Sequence, residues 1–359
     1  MPRILFVCLH RPNRSPSQRF RFEQYLDYLK ENDFECDISF LLDEKADKIF
    51  YANGEYFAKA GILLKSLWRR LYELSKARKY DIVFVQRECF MLGTAFFEKR
   101  FGEKTNLIFD FDDSIWLQNV SEGNKALRFL KNAGKTKEII GAAGLVIAGN
   151  QYLADYALQF NSNVVIIPTT IDTKIYYPVS KNEPETVCIG WSGSFSTIQH
   201  FEYRIHALKR IKQHYGSRVK FKVIGDTSYR SSVLEIKGQP WKEDTEIKDL
   251  EEIDIGIMPL PNDEWTKGKC GLKGLQYMGM AIPTIMSPVG VNTEIINDGV
   301  NGLLAESEDE WFDKLFNLVE SAELRKRIGK EGRKTVVEKY SVETNKHSYL
   351  KHFRSLLSL

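Results

Sequence analysis

Short apolar runs recur along the chain, separated by stretches in which apolar residues return every three to four positions. Ile4–Leu9, Ile82–Val85, Leu107–Phe111, Leu145–Ile147 and Val164–Ile167 are rich in Val, Ile and Phe and bounded by polar or turn residues. Runs of that length predict strands buried on both faces. Between them, Gln18–Glu31 and Asn150–Phe160 predict helices, the second with Asn150 as its N-cap. Such alternation calls for parallel sheets covered by helices. Thr173–Glu185 interrupts it with Pro178, Pro184 and clustered charge, and it restarts at Val187–Trp191, Val219–Ile224, Ile253–Met258 and Pro283–Met286. The expected fold is α/β: two Rossmann-like, doubly wound domains, 1–172 and 173–341, facing across a cleft. Sheets of this kind bind ligands beyond the carboxyl ends of their strands. A last helix, capped by Ser341, carries Tyr349, Phe353, Leu356 and Leu357 on one side. Its pattern suits closing the second domain or crossing back to the first; we assign 342–359 to the first.

Composition narrows the class. A chain of 359 residues fits two ordinary domains, and 43% hydrophobic with 28% charged residues is globular. A net charge of +3 is too balanced to imply nucleic acid. Cys8, Cys36, Cys89, Cys188 and Cys270 are scattered without Cys-x-x-Cys spacing, as in reduced cytosolic proteins. The apolar run near the N-terminus is too short for a signal peptide, and none approaches the ~18 residues of a membrane span. A cytoplasmic protein is expected, at most peripheral to a membrane. The 58–80 segment bears on that: Ile62, Leu63, Leu67, Leu71 and Leu74 describe a helix face that packs on the sheet. That packing is the default reading; the segment's interleaved Lys and Arg, with Trp68 and Tyr72, also suit an anionic membrane at its inner face.

Neither a Gly-x-Gly-x-x-Gly nor a P-loop lysine follows any strand, which weakens dinucleotide and P-loop readings. Two second-domain segments carry candidate chemistry instead. Residues 190–197, GWSGSFST, leave a strand and open a helix. Gly190 and Gly193 permit close backbone approach, and Ser194, Ser196 and Thr197 place hydroxyls where a helix N-terminus favours an anion. A capped turn with no ligand would look the same. From Lys267 onward, a Gly-rich entry leads into a helix with Lys267, Lys269 and Lys273 near its start. Positive charge there opposes the helix dipole by a few tenths of a kcal/mol, so either an anion is expected or the lysines are simply solvated.

This second segment resembles the donor-site signature of retaining glycosyltransferase family 4, the glycosyl transferases group 1 proteins of GT-B fold. That signature reads Glu-Gly-Phe-Gly, four residues, then Glu-Ala-Met-Ala-x-Gly-x-Pro. Here Gly268-Lys269-Cys270-Gly271 takes the first part and Gln276-Tyr277-Met278-Gly279-Met280-Ala281-Ile282-Pro283 the second. Pro288-Val289-Gly290, Asn301-Gly302-Leu303-Leu304, Val223-Ile224-Gly225-Asp226 and Ile167-Pro168 with Ile171-Asp172 fit the family's surrounding pattern. Two departures stand out: Gly268 replaces the acid that approaches the donor sugar, and Gln276 replaces the one that binds ribose. The usual Arg and Lys after the first strand of the second domain are absent as well, since GSFST has no cation, so Lys269 and Lys273 are expected to supply the charge facing pyrophosphate.

Two first-domain segments complete the set. NLIFDFDDSIW, residues 106–116, sets Asp110 and Asp112 on one face of a strand end, with Asp113 starting the turn. The resemblance places Asp112 where relatives have a histidine near the transferred sugar. All three aspartates are candidate catalytic residues, and turn or cap carboxylates are the bland alternative. The loop HRPNRSPSQRFRF, residues 10–22, offers Arg19 and Arg21 as candidate phosphate or acceptor ligands, or as a solvated basic loop.

The resemblance implies transfer of a sugar, with retention, from a nucleotide-diphosphate sugar to a glycan or lipid-linked acceptor, as in cell-surface polysaccharide synthesis. The donor is a substrate, so neither cofactor nor metal is expected. An inactive sugar-nucleotide-binding partner subunit is the alternative.

Overall fold

In the computed structural model, which describes residues 1–117, 132 and 134–358, the apolar runs become strands of two parallel sheets. In chain order the strands are β1 (Arg3–His10), β2 (Glu35–Leu42), β3 (Ile82–Gln86), β4 (Asn106–Phe111), β5 (Leu145–Ala148), β6 (Val164–Ile166), β7 (Val187–Ser192), β8 (Val219–Ile224), β9 (Arg230–Ser231), β10 (Ile236–Lys237), β11 (Ile255–Met258), β12 (Thr284–Met286) and β13 (Leu303–Leu304). The helices are α1 (Pro16–Arg19), α2 (Leu26–Glu31), α3 (Glu44–Tyr51), α4 (Tyr56–Ser75), α5 (Phe96–Gly102), α6 (Lys135–Ala142), α7 (Gln151–Leu158), α8 (Ile198–Glu202), α9 (Ile205–Tyr215), α10 (Glu246–Glu251), α11 (Glu264–Lys267), α12 (Leu272–Gly279), α13 (Asn292–Ile295), α14 (Glu308–Glu320), α15 (Ala322–Lys339) and α16 (Val342–Leu356). The chain divides into two units, Met1–Thr169 with Asn345–Leu359, and Thr170–Thr344.

In the first unit the strand order is β2-β1-β3-β4-β5-β6, all parallel. The chain leaves β1 outward to β2 and returns on its other side as β3, so the topological switch lies between β1 and β3. The loops after those two strands flank the place where such a sheet receives a ligand. The central strands are almost wholly buried, which is why they read as unbroken apolar runs. Asn150 caps α7 as expected, accepting from the Leu153 N–H at 2.9 Å. The returning α16 docks aromatics on this unit: Tyr349 lies 4.5 Å from Tyr25 between ring centres, and Phe353 6.0 Å from Phe84. Leu359, within the expected 342–359 helix, lies outside the described residues.

Two expectations need correction here. Gln18–Glu31 is not one helix but α1, a 3₁₀ turn at Glu23–Tyr25, and α2. The Gln18 side chain holds the backbone of His10, accepting from its N–H at 2.9 Å and donating to its carbonyl at 2.8 Å, so the chain bends there instead of continuing helical. The 58–80 helix forms as α4 with Ile62, Leu63, Leu67 and Leu74 on its inward side, but polar residues share that side and Leu71 does not. Lys59, Ser66 and Arg70 are buried with Leu74, whereas Leu71 is exposed. Arg70 sets this orientation by donating to the carbonyls of Cys89 (2.6 Å) and Cys8 (3.0 Å) and to the Ser39 hydroxyl (2.7 Å).

In the second unit the order is β13-β12-β11-β7-β8, again all parallel, with a small β9–β10 hairpin apart. Trp191, Phe201, Leu208, Ile211, Trp311 and Ile328 belong to its core. The switch lies between β7 and β11, so the loops after β7 and β11 flank the ligand end. Those loops contain GSFST and the lysine-bearing segment.

Candidate functional site

At the carboxyl end of the first sheet the three aspartates are separated by their arginine partners. Asp110 and Arg21 are fully buried together: the guanidinium donates to both carboxylate oxygens at 2.5–3.2 Å and to the Ile167 carbonyl at 2.5 Å. Arg21, expected as a phosphate or acceptor ligand, is instead sealed inside this unit. Its backbone carbonyl also accepts from Tyr349 at 2.6 Å. A long arginine placed after a strand and before a helix can reach outward or inward, and here the buried carboxylate decides the direction.

Asp112, one step beyond β4, meets a different arginine. Arg87 follows β3 directly and donates to Asp112 at 2.8 Å and to Asp113 at 3.4 Å. Burial opposes the charge on Asp112, but Arg87, Arg21 and a hydrogen bond from Ser17 hold its carboxyl below the usual carboxylate range. Arg87 is only half-buried and adopts φ 65°, a left-handed conformation that costs a side-chain-bearing residue energy. Its N–H donates to the Asp110 carbonyl at 2.8 Å, which ties β3's end to β4's. Sequence reasoning missed Arg87, whose only signal is an arginine immediately after a buried strand. Arg19 lies beside the Phe20 ring, 5.1 Å from its centre.

Beside this pair, at the end of β1, His10 packs on Tyr51 and lies 3.2 Å from Asp47. Burial pushes the imidazole's pKa down despite that carboxylate. Burial also opposes the Asp47 charge, yet His10 and Arg14 hold its pKa at about 2. This end of the sheet therefore offers fixed carboxylates, half-exposed guanidiniums and a neutral imidazole, suited to orienting a hydroxyl-rich or anionic ligand.

In the second unit, Gly193 and Gly225 let the loops after β7 and β8 touch. A Cβ on Gly225 would lie 1.6 Å from the Gly193 carbonyl oxygen, and the residue has φ 106°. The hydroxyls that follow are used locally: Thr197 Oγ1 accepts from the Ser194 N–H at 3.0 Å, and Ser194 and Ser196 share a bond at 2.8 Å. The expected helix opens as a 3₁₀ turn, Phe195–Thr197, followed by the short α8. From α8 comes His200, another residue the sequence reading missed. Its imidazole is buried, and burial together with Lys273 and Lys269 pushes its pKa down to about 4. The fold thus brings the turn after β7 and the lysine segment into one electrostatic neighbourhood. Each lysine lies over an indole: Lys269 5.1 Å from the Trp265 ring centre and Lys273 5.5 Å from that of Trp191.

The rest of the signature is positioned by packing. Gly271 has φ 70° where α12 begins, and Tyr277 reaches across to accept from the Ser192 N–H at the end of β7, at 2.7 Å. The Cys270 thiol is buried, 3.8 Å from the Gly268 carbonyl. Gln276 is buried too, its amide donating to Glu246 at 3.0 Å and to the Tyr176 hydroxyl at 3.2 Å. Sequence reasoning missed Glu246, which is remote in the chain. It also missed Asn292, whose amide donates to the Ser287 carbonyl at 3.0 Å while its buried Oδ1 has no hydrogen-bond partner.

Comparison with known proteins agrees with this arrangement. Residues 186–321 match the family model described as glycosyl transferases group 1. An uncharacterized glycosyltransferase of Methanocaldococcus jannaschii is 37% identical over 75 residues, which covers 20% of this chain and only 21% of that protein. Among solved structures, a sucrose-phosphate synthase from Thermosynechococcus elongatus superimposes with TM-score 0.69 at 14% identity over the whole of both chains. Anabaena HepE, in complex with UDP and glucose, gives TM-score 0.70 at 14% identity over 99% of this chain and 100% of that one. At such identity the likeness is one of fold: two Rossmann-like units of the GT-B class. The family likeness is thus confined to residues 186–321, at the heart of the second unit, which match the glycosyl transferases group 1 model.

Proposed function

We propose that the chain is a retaining glycosyltransferase of the hexosyl type, taking a sugar from a nucleotide-diphosphate donor. The observation that carries this reading is the convergence of Lys269 and Lys273 on a buried, neutral His200 beside the switch point of the second sheet. Positive charge gathered around an imidazole that stays uncharged is a cradle for an anion, and a diphosphate fits the family to which the segment belongs. HepE, in complex with UDP and glucose, shares the fold and supports a donor of that kind. Donor contacts are assigned to Lys269, Lys273, the Gly193–Thr197 turn, the Cys270–Gly271 backbone and Gln276. Acceptor contacts are assigned to Arg87, Asp112 and Asp113. The first-unit aspartates are each engaged by arginine, which favours retention by same-face displacement assisted by the leaving diphosphate over a carboxylate nucleophile. The acceptor is a glycan or lipid-linked glycan of cell-surface polysaccharide synthesis, at the inner face of the membrane. The donor is a substrate, and no cofactor takes part.

A panel of nucleotide sugars scored by thermal shift identifies the base, and release of nucleoside diphosphate then reads the reaction. Lys269→Ala and Lys273→Ala should each weaken nucleoside diphosphate by about 1.5–3 kcal/mol, the scale of a charge-assisted bond, and leave nucleoside binding unchanged. Equal loss for both ligands removes the diphosphate assignment. Gly268 and Gln276, standing where relatives carry acids, favour a second reading as a donor-binding partner subunit. Tight donor binding with no release of diphosphate by pure protein would select it.

A further inference from the structure

We propose that α4 is a docking helix for an anionic lipid bilayer and that its outward apolar face is the contact surface. Along its 20 residues the exposed large side chains are Tyr56, Phe57, Leu64, Trp68, Leu71 and Tyr72, with Phe57 96% and Trp68 71% exposed. Gly61 and Ala60 fill the gaps between them and are exposed as well. An ordinary surface helix buries this stripe and shows its charges. Here two of the charges go inside: Arg70 is held by three elements of the first unit, and Lys59 donates to the Ala52 carbonyl at 2.6 Å. These polar locks fix the rotation of the helix, so the apolar face cannot turn inward without stripping Arg70 of its partners.

Charge decides what covers that face. Lys65 projects within it, 73% exposed and 3.4 Å from Asp43, and Arg78 and Lys79 stand exposed just past its carboxyl end. The neighbouring acid, Glu73, is turned toward Arg69, Arg70 and Ser39. In a two-fold dimer through this face like charges would meet, because the same patch lies on both sides. An anionic bilayer supplies the opposite charge, and it takes Trp and Tyr at headgroup level with Phe and Leu below. A helix of this length presents about 30 Å of contact along the surface. Through Arg70 the docked helix is also tied to β1 and to the loop that follows Arg87, which carry the proposed acceptor groups. The inference gives the membrane location proposed above a physical surface. It is read by vesicle binding with no transfer reaction, so either can fail without the other.

The full chain is floated with phosphatidylcholine vesicles, with and without phosphatidylglycerol, at low and raised salt. It should co-float with the anionic vesicles and detach as salt rises, because the charge term is screened. Leu64→Ser with Trp68→Ser, both exposed sites, should lower partitioning by about tenfold or more through lost apolar burial. Lys65→Gln, Arg78→Gln and Lys79→Gln together should lose a similar factor on anionic vesicles only. Thermal melting checks that each variant folds; should the apolar pair melt early, the charge triple carries the test alone. Indifference of the parent chain to anionic vesicles, or unchanged binding in both variants, overturns the proposal. So does a lipid-blind dimer that the apolar pair turns into monomers, which would assign the face to a second copy.

Discussion

At the carboxyl end of the first sheet, each of the three aspartates meets an arginine, and one of those pairs is sealed from water. At the same end of the second sheet, burial and two lysines hold a histidine neutral, with Asp263 acting the other way. The first arrangement is complete by itself, its charge balanced within the fold. The second gathers cationic side chains around a neutral imidazole, the groups assigned above to the donor's diphosphate. Two sheets of one topology class thus differ in their chemistry: one holds a frame of arginine–carboxylate pairs, the other carries lysines and a neutral imidazole.

The largest effect should come from opening the sealed pair. Arg21→Ala leaves Asp110 charged in the interior, and denaturant unfolding should show a loss of about 3–5 kcal/mol. Replacing both residues with apolar ones of similar volume should recover most of it. A loss below about 1 kcal/mol would mean that water reaches the pair.

His200 tests the other end through pH. Its folded pKa is about 4 against an ordinary 6.5, so below 6.5 the unfolded imidazole takes a proton that the folded one refuses. Stability should therefore fall as pH drops from about 6.5 to about 4, by about 3 kcal/mol at full extent. His200→Gln should flatten that slope, and saturating nucleoside diphosphate should shrink it by giving an imidazolium its counter-charge. A slope untouched by nucleotide would separate His200 from the anion site.

Asp112→Asn should cut turnover by about 10²-fold, the scale of one preorganised electrostatic group, with nucleotide affinity nearly constant. Matching losses in affinity and turnover would instead mark Asp112 as a support for Arg87. The smallest effect concerns Gln276. Restoring the family's acid by Gln276→Glu sets a second carboxylate against Glu246, so stability at neutral pH should drop by about 1–2 kcal/mol and recover in mild acid. A neutral or stabilising result would show that Glu246 turns away.

The buried strands were legible because a parallel strand covered on both faces is apolar throughout, as Ile82–Val85 shows. β2 was not, since it is the edge strand and its sequence, ECDISFLL, mixes charge with apolar residues. The family segment was legible because its glycines and lysines are spaced by a turn and a helix start. Arg87, His200 and Glu246 were not, because their partners lie elsewhere in the chain and only the fold sets them together. α4 marks a further limit. Helical periodicity picked out Ile62, Leu63, Leu67 and Leu74, but not that Lys59 and Arg70 join them inside while Trp68 and Leu71 stay out.

The return of α16 has a consequence for the chain as it is made. Tyr349 and Phe353 complete the packing around Tyr25, Arg21 and Phe84, so the unit translated first lacks part of its interior until α16 leaves the ribosome. The second unit, contiguous from Thr170 to Thr344, has all its residues sooner. A stop codon ahead of Tyr349 would therefore injure the unit whose strands lie farthest from it in sequence. It would do so by leaving aromatic surface of the first unit bare to whatever else is folding nearby.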